Sequence, residues 1–223
     1  MERTIEHPTI LAIRKDETLA ISSGKYEFME GLYEKAMGEL HDFFGLNWAR
    51  NRPRLFLVSD RETIDNLKGY KTEDWVVGWA SNNNDRDVYV LDKDNYTKES
   101  RHKYSDEEYF RLIKHELAHL FFRRVSGFKS EPHWLNDGVC TYLSGQIPDK
   151  EIRLHSFLEH YSKSGPSVYT EGGLAVKYLV EKYGKTKLLE LIKSLKNVNS
   201  EDEFKKAFEK IYGFELDYSN FQD

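Results

Sequence analysis

Asp106-Glu107-Glu108-Tyr109-Phe110-Arg111-Leu112-Ile113-Lys114-His115-Glu116-Leu117-Ala118-His119-Leu120 is the stretch on which the reading of this chain turns. Ser105 precedes it, and Ser105-Asp106-Glu107-Glu108 fits a capping box, so a helix is predicted to start near Asp106. Tyr109, Leu112, Ile113, Leu117 and Leu120 recur at three- and four-residue spacing, the apolar stripe of a helix packed on a core. At about 100° per residue, His115 and His119 fall beside Leu112 at the edge of that stripe, and Glu116 falls inside it. A carboxylate on a buried face is costly unless it is paired or lies near a cation.

The pentapeptide His115-Glu116-Leu117-Ala118-His119 reads H-E-x-x-H. Residues four apart share one helix face, so both imidazoles can reach one metal ion, with Glu116 placed to handle a water on that ion. With 8 His in 223 residues, chance supplies roughly 0.03 such matches per chain, so the context has to carry the assignment. The capped amphipathic helix does so, and a zinc-dependent hydrolase is the leading reading. The competing one is two hydrogen-bonded histidines and an ordinary Glu in a buried helix. A zinc site needs a third protein ligand, with the fourth position left open.

Downstream comes Pro132-His133-Trp134-Leu135-Asn136-Asp137-Gly138. Trp134 to Gly138 resembles the W-L-x-E-G segment of the gluzincin metallopeptidases, a peptidase MA-like family in which that Glu is the third zinc ligand. Here the position is Asp137, with 17 residues (120–136) between it and His119; the family spacing is usually one or two longer. Asp is shorter than Glu by one C–C bond, about 1.5 Å. A closer second helix, weaker binding, or another ligand such as His133 or Glu131 would each accommodate the difference. Tyr169-Thr170-Glu171-Gly172, ahead of an apolar helix ending at Tyr183-Gly184, is similar to the Y-x-x-G helix of gluzincin aminopeptidases. There the Tyr stabilises the tetrahedral intermediate, which implies that role for Tyr169. His155, His160, Tyr142 and Tyr161 are rivals for it. Thr141, four residues after Asp137, is a candidate for orienting a ligand by hydrogen bonding. The aminopeptidase signature Gly-x-Met-Glu-Asn is absent, which favours endopeptidase action. The resemblance spans residues 105–184.

The expected fold class is α+β and zincin-like. An N-terminal mixed-sheet lobe with the H-E-x-x-H helix covers 1–126, and a C-terminal helical lobe covers 127–223, the two forming one catalytic unit. Ile10 to Ile13 and Leu19 to Ile21 are short apolar runs predicted to pair as a hairpin. A helix is predicted over Tyr26 to Phe44 with Gly45 as its C-cap. Leu55 to Val58 reads as a buried strand and Ser59 to Leu67 as a short helix. Val76 to Ala80 and Val88 to Leu91 read as strands joined by the turn-rich Ser81 to Asp85. A zincin sheet offers an edge strand above the metal, to which an extended peptide pairs through its backbone. Val76 to Ala80 is the candidate for that edge, although composition alone does not separate an edge from a central strand. Pro132 is predicted to start the helix carrying Asp137. Further helices are predicted at Glu151 to Tyr161, Thr170 to Tyr183, Lys185 to Leu195 and Glu201 to Tyr212. Ser162 to Ser167 is the clearest loop.

Charged residues make up 32% of the chain and the net charge is −5. That balance argues against nucleic acid or an anionic membrane as a partner, since both select basic patches. The single cysteine, Cys140, excludes an internal disulfide and a multi-cysteine zinc site; it is expected to be a small buried apolar group. Residues 1–16 do not read as a signal peptide, no run reaches a membrane span, and a cytoplasmic location is expected. The expected function is therefore hydrolysis of peptide bonds in peptide or protein substrates with one Zn2+ ion. His115, His119 and Asp137 hold it, Glu116 is general base and Tyr169 assists. The alternative is a catalytically weak or inactive zinc- or peptide-binding protein on a peptidase scaffold. A helical protein without metal stands behind both.

Overall fold

The computed structural model describes residues 9–221 apart from 16, 149–151, 164 and 166. Five strands form one mixed sheet, and eight α-helices accompany it among the described residues, an α+β chain. The chain divides into one unit running to Leu120 and another from Phe121.

In the first unit the elements run β1 (Ile10–Arg14), β2 (Glu17–Leu19), α1 (Ser23–Phe44), β3 (Arg54–Val58), α2 (Arg61–Lys68), β4 (Gly78–Ala80), β5 (Asp87–Leu91), α3 (Lys93–Tyr96) and most of α4 (Asp106–Val125), whose residues from Phe121 on belong to the second unit. The sheet order is β2-β1-β3-β5-β4. β1, β3 and β5 run parallel in the middle, and the outer strands β2 and β4 are antiparallel to their neighbours. Parallel strands need crossovers, and α1 and α2 supply them. Leu55, Leu57, Val88 and Val90 are fully buried, while the alternating Phe56 and Tyr89 on the opposite face are half-buried. Tyr33 of α1 donates its hydroxyl to Pro53 O at 2.8 Å, and Tyr109 of α4 donates to Leu91 O at 2.9 Å. These bonds satisfy two phenols that burial would otherwise penalise.

The α1 helix with Gly45 at φ 61 as its C-cap and the β4–β5 hairpin follow the sequence expectations, and β1 pairs in a hairpin as expected, but its second strand is Glu17–Leu19 and not Leu19 to Ile21. Asp16 of the first turn lies outside the described residues. β4 is shorter than the predicted Val76 to Ala80. Val76 N–H donates to Glu73 O at 3.1 Å, and Val76 O accepts Arg61 Nη1 at 2.6 Å. Both of its backbone groups are thus spent on a bend. The same guanidinium also reaches Thr72 Oγ1 at 3.1 Å and Glu99 O at 2.7 Å, fastening the approach to β4.

In the second unit come α5 (His133–Ser144), a 3-10 turn at Phe157–Glu159, α6 (Ser167–Tyr183), α7 (Lys185–Ser194) and α8 (Glu201–Tyr212). Its core is aromatic: Trp134 meets Phe157 edge-on at 4.9 Å, and Phe204 and Phe208 are fully buried. The predicted helix from Glu151 to Tyr161 is a correction. Glu151 lies outside the described residues, and of the rest only Phe157–Glu159 is helical, as one tight turn. α6 also starts earlier than predicted, at Ser167, which puts Tyr169 in its first turn. Among the described residues no helix is long and apolar enough to cross a membrane.

Candidate metal centre

The start of α4 is set by Ser105, whose Oγ accepts Glu108 N–H at 3.1 Å, and by acidic residues at 106–108 against the helix dipole. Tyr109, Ile113, Leu117 and Leu120 are then buried as the stripe requires. That burial carries the polar face of the next turns inwards too. His115 is 6% exposed and Glu116 7%, and His119 is half-buried. The two imidazole rings lie one turn apart with centroids 5.0 Å from each other and planes at 74°.

Asp137 comes from the second turn of α5, which begins after Pro132 in extended backbone, and is 9% exposed. His115, His119 and Asp137 each offer one ligand atom, and these atoms all lie within 4.8 Å of one another. A tetrahedral ion with bonds of 2.0–2.2 Å holds its ligand atoms about 3.4 Å apart, a spacing that atoms within 4.8 Å of one another are near. Two imidazoles and a carboxylate gathered away from water are a donor set that a divalent cation neutralises. The group can hold a metal ion, and the shorter Asp side chain does not keep Asp137 out of it. Neither His133 nor Glu131 belongs to the group among the described residues.

Glu116 lies against the edge of the sheet. A Cβ built on Gly78 of β4 would stand 2.9 Å from Leu112 Cδ1, 3.2 Å from Glu116 Cγ and 3.3 Å from Glu116 Oε1. Glycine at 78 therefore lets the strand run directly over the carboxylate. β4 is also an outer strand of the sheet, which settles what composition could not.

In the second unit α5 and α6 cross with backbone contact. A Cβ on Gly138 would sit 2.5 Å from Gly172 O, and one on Gly172 would sit 2.6 Å from Trp134 O. The two glycines of the Trp-Leu-Asn-Asp-Gly and Tyr-Thr-Glu-Gly segments are thus the packing surface between these helices. Tyr169, in the first turn of α6, is 41% exposed. Its neighbour Glu171 is 4% exposed, and its role was missed in the sequence. Glu171 Oε2 accepts the N–H groups of His155 (2.9 Å), Ser156 (2.8 Å) and Phe157 (3.1 Å), and Oε1 accepts Ser156 Oγ at 2.7 Å. Burial raises its pKa, but the donors from Ser156, His155 and Phe157 outweigh burial and leave it below the usual glutamate value. His155 Nδ1 lies 3.2 Å from Glu171 Oε1, so His155 belongs to this anchor. His160 Nδ1 lies 2.9 Å from Lys163 O. Thr141 Oγ1 has no hydrogen-bond partner among the described residues, and the Thr141 methyl packs where a Cβ on Gly173 would be 2.8 Å away. Cys140 is fully buried, as a small apolar group should be.

No protein-family model matches the chain, and no curated protein matches it either.

Proposed function

We propose that this chain is a zinc-dependent peptidase with a zincin-like fold and the ligand logic of the gluzincins. The observation that carries the reading is the convergence of His115, His119 and Asp137 with the buried Glu116 between the two histidines in sequence. Nitrogen and carboxylate donors with an open fourth position suit zinc. When bound, zinc acidifies a water and polarises the scissile carbonyl.

The chain's own residues do the rest. Glu116 accepts the proton of the attacking water and later delivers it to the leaving amine, a task that needs a carboxylate held at fixed distance and shielded from bulk solvent. Tyr169 donates a hydrogen bond from its phenol O–H to the developing oxyanion. The open edge of β4 takes the substrate as an extended strand through main-chain hydrogen bonds, so affinity comes from the backbone and selectivity from side chains. An endopeptidase acting in the cytoplasm fits the lack of an aminopeptidase anchor motif and the single cysteine.

The test is Glu116→Gln measured against a mixed peptide pool. The variant keeps its metal and loses about 100- to 10,000-fold in turnover, the usual worth of a positioned base. Hydrolysis that persists in chelator-stripped wild-type protein would exclude the mechanism. Stoichiometric zinc without turnover by the wild type would favour the non-catalytic binding protein.

A further inference from the structure

β4 has a parity. Leu91 N–H donates to Val77 O and Ser81 N–H donates to Asp87 O, both at 2.8 Å, with Trp79 opposite Tyr89. In an antiparallel pair, residues alternate between turning both backbone groups to the partner and turning both away. Val77, Trp79 and Ser81 share the paired parity, so Gly78 and Ala80 present their N–H and C=O groups to the open edge. Side chains alternate as well. Position 78 faces Leu112 and Glu116, so Trp79 projects from the opposite face. There its ring stacks on Tyr89 at 4.8 Å and 6°, and Tyr89 stacks on Phe56 at 4.8 Å and 15°.

Lys68, the last residue of α2, holds its ammonium 4.6 Å from the centroid of the Trp79 ring. It is half-buried, and among the described residues no carboxylate lies within ion-pair distance of it. Burial pulls its pKa below the ordinary lysine value, and the charge of Glu116 opposes that fall. A desolvated cation seated on an aromatic ring beside an open strand edge has a place for an anion. Directly opposed residues on paired strands point to the same face. A strand added at Gly78 and Ala80 therefore brings the side chain opposite Trp79 out beside Lys68, while the two flanking side chains face the Glu116 side.

We propose that Lys68 is a specificity residue, selecting substrates with an aspartate or glutamate at the position that pairs opposite Trp79. This rests on the peptidase reading only for the direction from which the peptide arrives. Charge complementarity is local to that position: acidic side chains on either neighbour face the like charge of Glu116.

The experiment measures peptide binding and turnover separately. Neutral octapeptides with a single Glu scanned through each position are titrated by fluorescence anisotropy into zinc-loaded Glu116→Gln protein. One position is expected at which Glu tightens Kd about tenfold over Gln, the effect of one charge-assisted contact. In the same background Lys68→Met removes that preference, Lys68→Arg keeps it, and Lys68→Glu transfers it to Lys at the same position. A Glu preference unchanged in Lys68→Met, or no preference at any position, overturns the proposal. Turnover of the same peptides by wild-type protein separates the two claims. Hydrolysis with no Glu preference removes Lys68 alone, preference with no hydrolysis removes the peptidase reading alone, and absence of any binding removes both.

Discussion

Replacing Glu171 with Gln removes one charge from a buried anchor and little volume. In the native protein its carboxylate takes three backbone N–H groups and one hydroxyl from residues 155–157. Hydrogen bonds to a charged group contribute about 1.5–3 kcal/mol each and neutral ones about 0.5–1.5. Gln can keep its oxygen on the three N–H groups, so the loss is about 1 kcal/mol per bond, or about 3 kcal/mol in all. For a chain of this size that lowers Tm by about 6–12 °C. The pH dependence makes the cause identifiable. The folded carboxyl titrates below its ordinary value, so its stabilisation is fully present above the unfolded pKa near 4.3 and is lost as pH falls through the lower folded value. The assay is urea unfolding of wild type and Glu171→Gln at neutral pH and at steps below pH 4.5, followed by circular dichroism. The gap between the two proteins is full at neutral pH and closes in acid, where wild-type Glu171 is itself neutral. A gap under 1 kcal/mol at neutral pH, or one equally wide in acid, would refute the anchor.

Two glycines give sharper steric tests. Gly138→Ala places a methyl 2.5 Å from Gly172 O, which is backbone and cannot rotate away; α5 and α6 must separate, costing about 3 kcal/mol in a thermal or urea melt. Gly78→Ala crowds Leu112 and Glu116 at 2.9–3.3 Å; it is expected to cut kcat about 10- to 100-fold through misplacement of the base, with zinc content by elemental analysis unchanged.

The parts of the molecule legible in the sequence are those governed by local rules. α4 followed from its apolar spacing and from Ser105 as cap, both short-range signals. α8, from Glu201 to Tyr212, followed from its helical spacing, and the structure caps it with Ser200. The failures came where a distant group overrode local preference. Residues 152–161 carry helical spacing, yet Glu171 claims the N–H groups of 155–157 from outside the segment. Val76 and Val77 read as strand, but Glu73 O accepts the Val76 N–H in a bend and Arg61 holds the Val76 carbonyl, so the regular strand is only Gly78–Ala80. α3 is too short to show a period; Asp92 caps it by accepting Asp94 N–H at 3.1 Å. In the site, His115, Glu116 and His119 were visible because one helical turn joins them. Asp137 was visible only through its resemblance to a known segment, and Lys68 not at all, since neither its spacing nor its type marks it before the chain folds Trp79 beneath it.

The most direct measurement is the zinc content of the purified protein by elemental analysis, set beside His119→Ala, Asp137→Ala and Glu116→Gln. Shared coordination predicts about one ion per chain in the wild type and in Glu116→Gln, and strong depletion in the two ligand variants. Zinc in Asp137→Ala equal to that of the wild type would contradict it.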